Sequence, residues 1–168
     1  MSPTVVQLAT PCPQGGEPRY YVDSATSSVL RIDIRITLLA AGLIFLLALV
    51  LGVWKYRQIM VAEDHRAHPY VDIAHRAALL YSFATLLIAV FVEFSAWPAW
   101  VNLTAAMVVV FFFVAAIASY ISHGARRDTT NQFEKPDRGL RAMMTLLIAG
   151  EIGGFGVILA GFIVGQLL

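Results

Sequence analysis

Three histidines lie close together in the sequence, and their side chains are the first candidates for chemistry: His65, His68 and His75. Imidazole is a ligand for iron, zinc and copper, and a haem iron needs only one or two such ligands. Pro69 separates the first two histidines from the third, and proline is tolerated at the start of a helix but not in its interior. We therefore expect His65 and His68 in a loop and His75 in a helix. The alternative for each histidine is a surface residue that solvates its loop.

His75 opens an apolar run of residues 72–97, which ends near Glu93. The two residues are a whole number of helical turns apart, at about 3.6 residues per turn, so they point the same way. Small or polar side chains fall on or near the line between them: Ala78, Ser82 and Ala89. A helix in lipid should turn such a face toward other helices or a cofactor. Ser82 is therefore a candidate cofactor contact.

Glu93 and Glu151 are ionisable residues inside apolar runs, where a charge is costly and a functional role is the default hypothesis. For Glu93 we favour the structural alternative, an ion pair with Arg35. Glu151 lies about 15 Å into its run, at about 1.5 Å per residue. It is either a neutral acid hydrogen-bonded to a neighbouring helix or a group that handles protons or polarises a substrate.

The elements that must position these residues are membrane-spanning helices. Of 168 residues, 58% are hydrophobic and 14% are charged, whereas soluble domains carry about 25% charged residues. Four apolar runs, residues 34–54, 72–97, 100–122 and 140–168, each approach or exceed the 20 or so residues that cross a bilayer. The prediction is an all-α fold, an integral membrane four-helix bundle over residues 34–168, after a polar extension of residues 1–33. The short link before residue 100 makes the second and third spans an antiparallel hairpin.

Basic residues predict the orientation of the bundle. Most of the 12 lysines and arginines lie in or beside segments 55–71 and 123–139, so these loops should be cytoplasmic and both termini outside. The expected location is a bacterial inner membrane. His123 then lies at the same depth as His75. The polar loop that contains Asn131 would cap a site between His75, Tyr81 and His123, or else is a solvated connector.

The fourth span carries two small-xxx-small pairs on nearly one face, formed by Gly150, Gly154, Gly161 and Gly165. Such a face allows close helix packing, within the bundle or between subunits. The expected partners are membrane lipid and either further copies of the chain or a larger membrane complex. Nucleic acid is not expected, because no basic stripe or RNA-binding motif occurs. The single cysteine excludes a disulfide within the chain, and motifs of the usual soluble enzymes do not occur.

The span layout, the Ala74–His75 pair that opens the second span and the polar loop after the third resemble one family of small membrane proteins. This is the styrene oxide isomerase and hydroxylaminobenzene mutase group, and the resemblance covers span order and length over residues 34–168. It implies a trimer in which His75 ligates haem b and the open iron face acts as a Lewis acid on an epoxide oxygen. One departure is that the group carries Asn-Gly beyond its histidine, about where this chain has Tyr81.

The resemblance thus implies a haem-dependent isomerase or mutase that acts on a small apolar substrate. For this activity the candidate catalytic residues are Tyr81, Asn131 and Glu151, and the candidate cofactor contacts are His75, His123 and Ser82. Two alternatives stay open. One is a haem-binding electron-transfer or oxidase-accessory subunit, with His75 and His123 as two axial ligands. The other is a cofactor-free accessory subunit that docks on a larger complex through its glycine face.

Overall fold

Four long α-helices make up the protein in the computed structural model, which describes residues 30–131 and 138–168. They are α1 (Ile32–Val61), α2 (Pro69–Glu93), α3 (Ala99–Arg126) and α4 (Arg138–Gln166). Each helix is long and apolar enough to cross a membrane. The prediction of an all-α, four-helix membrane bundle is confirmed. Residues 1–29 of the predicted extension lie outside the described residues, and Ile32 and Asp33 already belong to α1.

The start of α2 agrees with the position of its proline. Pro69 is the first helical residue, and the His68 side chain caps the helix by accepting a hydrogen bond from the Tyr70 backbone N–H at 3.3 Å. Proline suits this position because the N–H it lacks would have had no helical partner. His65 lies in the preceding turn with a left-handed backbone, φ 52°. His65 and His68 are therefore outside the helix and His75 is within it, as predicted.

The helix ends differ from the predicted spans at both ends of the bundle. α1 continues past Trp54 to Val61, and α3 continues to Arg126. Hydropathy marks only the part of a helix that lies in lipid, whereas the backbone hydrogen bonds continue into polar sequence. α2 is shorter than predicted and ends at Glu93, since the link to α3 needs residues 94–98 for its turn. We call this side of the bundle the link end, and the side with residues 62–68 the loop end.

The small face of α2 is buried against the other helices, as predicted. Its fully or almost fully buried members include Ala74, Ala78, Ser82 and Ala89. α1 packs along α2 more extensively than any other helix pair. At the loop end, Lys55 of α1 forms an ion pair with Asp72 of α2 at 2.5 Å, and Arg76 approaches the same carboxylate at 3.5 Å. Small side chains thus let α1 and α2 approach closely. An ion pair links the two helices at the loop end, where both helices leave the apolar region.

The glycines of α4 pack inside the chain. Gly150 and Gly154 lie against α3, where added Cβ atoms would overlap Phe112 and Val109. Gly161 and Gly165 lie against the link between α2 and α3, and the Gly161 carbonyl accepts the Ala96 N–H at 3.0 Å. The four glycines therefore pack within the bundle, which is one of the two alternatives for this face. Gly165 is nevertheless exposed and Gly150 only half-buried, so docking of a partner through this face stays a prediction.

Candidate functional site

His75 is half-buried on α2 and faces α1. Its Nδ1 lies 2.9 Å from the carbonyl oxygen of Ala48. A carbonyl oxygen only accepts, so Nδ1 donates the hydrogen bond, and the neutral ring keeps its lone pair on Nε2. Gly52 lies one turn beyond Ala48, and a Cβ added there would come within 3.0 Å of His75 Cε1. The absence of a side chain at Gly52 thus gives the imidazole its place against α1.

His123 lies on α3 and has different neighbours. Its Nδ1 donates to Asp128 Oδ1 at 2.8 Å, and its ring lies 5.1 Å from that of Tyr70. This hydrogen bond lowers the pKa of the Asp128 carboxyl below its ordinary value. Tyr70 and His75 are about 140° apart around α2, at about 100° per residue. The structure therefore places His75 and His123 on different sides of α2 and does not bring them together.

The described residues contain no group of three or more His, Cys, Asp or Glu side chains that could hold a metal ion. His65, His68 and His75 thus do not combine into a metal cluster. Ser82 is buried, and its hydroxyl donates to the Leu79 carbonyl at 2.7 Å. Ser82 also lines an apolar pocket of about 310 Å³ between α1 and α2. Its hydroxyl proton is used within its own helix, so only the hydroxyl oxygen is left to contact a ligand.

Tyr81 and Glu151, two of the three predicted catalytic residues, lie within electrostatic range of each other. The Tyr81 ring stacks on Phe113 of α3, with ring centres 4.2 Å apart and planes within 6°. Glu151 of α4 is within electrostatic range of Tyr81 and also of Tyr120 of α3. Tyr120 was not predicted, because a tyrosine near the end of an apolar span is typical of a membrane interface. The three side chains come from α2, α3 and α4.

Asn131, the third predicted catalytic residue, is exposed at the end of a described segment. Its backbone N–H donates to the Thr129 hydroxyl at 3.0 Å, which fixes a turn beyond the end of α3. α3 ends at Arg126 and is capped by Arg127, whose backbone is left-handed with φ 53°. Residues 132–137, which complete this loop, lie outside the described residues. A catalytic role of Asn131 stays a prediction.

The sequence did not lead us to predict a polar cluster at the link end, formed by Arg31, Asp33 and Asn102. The Asp33 carboxylate is fully buried, pairs with Arg31 at 2.6 Å and accepts the Ile34 N–H at 3.1 Å. The Arg31 guanidinium also donates to the Val92 carbonyl of α2 at 3.2 Å, and its hydrogen bond with Asp33 raises the pKa of Arg31. Asn102 of α3 is likewise fully buried beside Asp33 and donates to the Trp97 carbonyl at 3.1 Å.

The predicted ion pair between Glu93 and Arg35 does not form. Both residues are exposed, and the ion pairs of the described residues do not include them. The charge of Glu93 helps to raise the pKa of Arg31, but Arg31 forms its ion pair with Asp33. Arg31 bonds both oxygens of Asp33, and such charge-assisted, two-point contacts are strong. Two polar residues in or beside apolar spans, Asp33 and Asn102, were the signal that could have identified this cluster.

Known proteins give no guide to the role of this site. A scan against models of protein families, a search of curated proteins and a search of solved structures each found no match to this chain.

Proposed function

We propose that this protein is a haem-dependent membrane isomerase or mutase for a small apolar substrate, in which His75 Nε2 would hold the haem iron. The observation that supports this is the hydrogen bond from His75 Nδ1 to the Ala48 carbonyl at 2.9 Å. Metal-binding histidines usually donate their second N–H in this way, which fixes the ring and raises the basicity of the ligating nitrogen. His75 is thus held in the tautomer that a haem iron requires.

The residues around His75 fit one haem ligand better than two. The His75 ring fills the space that Gly52 leaves on α1, and α1 and α2 supply apolar surroundings. His123 is occupied by Asp128 and Tyr70 on another side of α2, so an iron with two histidine ligands is not favoured. A bound haem would supply a Lewis acid. The chain holds the ligating imidazole through Ala48 and keeps water away by placing it within the apolar part of two helices.

The absorption spectrum of the protein purified in detergent tests this proposal. We expect a Soret band of five-coordinate haem that is lost in His75→Ala and restored in part by added imidazole. His123→Ala is the matched control, because His123 lies at the same end of the bundle, and it should keep the spectrum. A protein without a Soret band, or with one that His75→Ala leaves unchanged, contradicts the proposal. A low-spin band that either histidine variant abolishes indicates the electron-transfer alternative.

Filling the space at Gly52 should weaken haem binding without removing the ligand. A Cβ at this position would lie 3.0 Å from His75 Cε1 and 3.3 Å from Nδ1, so Gly52→Val should rotate the ring away from Ala48. Loss of an outer-shell hydrogen bond typically costs about 10–100-fold in affinity. Haem titration of the apoprotein measures this change. Gly42→Val is the control, since no atom lies within 4 Å of an added Cβ there. Equal affinity of both variants would contradict the proposed role of the Ala48 contact.

The proposal extends to assembly and orientation. We propose a homo-oligomer, a trimer by the family resemblance, or a larger membrane complex, whose partner contacts the glycine face of α4 where Gly165 is exposed. Segments 55–71 and 123–139 would face the cytoplasm of a bacterium, as the basic residues indicate. Single cysteines at Glu63 and at Leu168, labelled from either side of sealed vesicles in a chain without Cys12, test the orientation. Cross-linking in membranes tests the subunit number.

A further inference from the structure

A polar cavity lies at the loop end of the bundle, between the turn that joins α1 to α2 and the end of α3. Its volume is about 400 Å³. The polar and charged residues of its lining are Gln58, Asp64, Arg66, His68 and Arg127. Small-molecule sites occupy about 300–1,000 Å³. The cavity can therefore hold a polar group together with part of the molecule that carries it.

Two arginines of this lining carry unpaired guanidinium groups. Arg66 in the turn and Arg127 at the end of α3 are both exposed, and within the described part of the chain neither guanidinium forms an ion pair. By contrast, Lys55 at the same end of the bundle is paired with Asp72. The carboxylate of the lining, Asp64, accepts the Arg66 backbone N–H at 3.2 Å. The lining thus carries two positive charges and one negative charge, which favours an anion.

The backbone of Arg127 is left-handed, with φ 53°, and its N–H donates to the His123 carbonyl at 2.9 Å. Helices that end in this conformation usually have glycine there, because a Cβ makes a left-handed backbone strained. Arginine therefore lowers stability at this position relative to glycine. What it adds is a guanidinium group at the cavity, on a backbone whose direction the hydrogen bond fixes.

Gln58 and His68 add neutral N–H groups to the lining. The Gln58 Oε1 accepts the His68 backbone N–H at 2.9 Å, so the amide NH₂ group remains as a donor. His68 Nδ1 accepts the Tyr70 backbone N–H at 3.3 Å, so the neutral ring carries its proton on Nε2. The same two hydrogen bonds hold the turn against α1 and α2. The lining is thus rich in donors and is fixed at its base.

We propose that this cavity binds a phosphate group, held by the guanidinium groups of Arg66 and Arg127. Arginine suits phosphate because its planar fork of N–H groups can bond two oxygens at once. The headgroup of an anionic lipid and a soluble phosphorylated molecule share this chemistry, and the cavity lies where the helices leave the apolar region. His75 is not part of the lining, so the site does not depend on the haem proposal.

Isothermal titration calorimetry of the full chain in an uncharged detergent tests this site. The probes are inorganic phosphate and dihexanoyl phosphatidylglycerol, a short-chain anionic lipid, at an ionic strength held constant with NaCl. We expect saturable binding of at least one of them. Tighter binding of the lipid would identify a headgroup as the source of the phosphate, and tighter binding of inorganic phosphate a soluble molecule. Dihexanoylglycerol is the matched lipid without phosphate and should give no saturable binding.

The variants locate the binding. Arg127→Gly and Arg66→Gln should each weaken it about ten-fold or more, as expected for the loss of charge-assisted hydrogen bonds. Arg127→Gly should unfold at no lower temperature than the unmodified chain, since glycine takes the left-handed backbone without strain. Its loss of binding is then not a loss of folding, and Arg66→Gln gives an independent measure.

Arg126→Gln is the matched control, because it removes the same charge from the adjacent residue, which does not line the cavity. It should bind the probe almost as tightly as the unmodified chain. His75→Ala should also bind it unchanged, so that failure of the haem proposal and failure of this one are distinguishable. The proposal is overturned if the unmodified chain binds neither probe saturably, or if Arg126→Gln weakens binding as much as Arg127→Gly.

Discussion

Replacing Gly161 by leucine should lower the free energy of unfolding by about 3 kcal/mol, the upper part of the range for overpacked sites. A Cβ at Gly161 would overlap the Ser95 hydroxyl and the Trp97 ring. The bulky side chain must push α4 away from the link between α2 and α3. Two hydrogen bonds that tie α4 to this link would then lengthen, Ala96 N–H to the Gly161 carbonyl at 3.0 Å and Trp97 Nε1–H to the Val157 carbonyl at 2.8 Å.

Thermal unfolding in detergent, followed by circular dichroism, measures this loss, which corresponds to a fall in Tm of roughly 6–12 °C. The matched control is Gly153→Leu in the same helix, where no atom lies within 4 Å of an added Cβ. The control should change stability by no more than about 0.5 kcal/mol. If both variants lose the same stability, the cost comes from leucine on α4 in general, and the close contact at Gly161 is not what holds the helix.

Replacing Asp33 by alanine should cost about 2–3 kcal/mol. The carboxylate is fully buried, and its loss removes the charged acceptor that Arg31 and Asn102 share at the link end. Breaking a fully buried ion pair costs about 3–5 kcal/mol, and we expect less here because the Arg31 side chain is 44% exposed and can turn toward water. The loss of the Asp33 anchor also frees Arg31 from the Val92 carbonyl.

Unfolding by increasing denaturing detergent, with the same spectroscopic signal, measures this cost. Glu93→Ala is the matched control, because Glu93 is an exposed carboxylate at the same end of the bundle, and its removal should be nearly neutral. Asp33→Asn separates charge from shape: it should retain part of the stability, since an amide oxygen still accepts from Arg31. A stability of Asp33→Ala equal to that of Glu93→Ala would show that the buried pair contributes nothing.

The helices could be predicted because each rests on a strong local signal. Four long apolar runs must be helical in lipid, Pro69 marks the start of α2, and the small face of α2 repeats at helical spacing. The buried cluster could not be predicted from Arg31 and Asp33 alone, since a charged pair before an apolar run is equally typical of a solvated interface. Which carboxylate an arginine reaches depends on helix rotation and depth, and these are fixed only by packing.

The same limit applies to the candidate site. His75 was identified from its helix and its place after Pro69, but its contact with Ala48 depends on how closely α1 approaches α2 at Gly52. Depth along the membrane was used to group His75 with His123, and depth says nothing about direction around a helix. Tyr120 comes within electrostatic range of Glu151 only because glycines allow α4 to pack on α3. Such relations are properties of the assembled bundle.

The peripheral position of α4 has a consequence for synthesis in the cell. Among the described residues, α4 contacts α2 and α3 but not α1, while α1, α2 and α3 all contact one another. Domains form from the amino terminus as the chain leaves the ribosome, so the first three helices can complete their mutual contacts before α4 enters the bilayer. The late helix then closes the bundle through its glycines. The contacts of α4 with α2 and α3 are therefore the last contacts between helices to form.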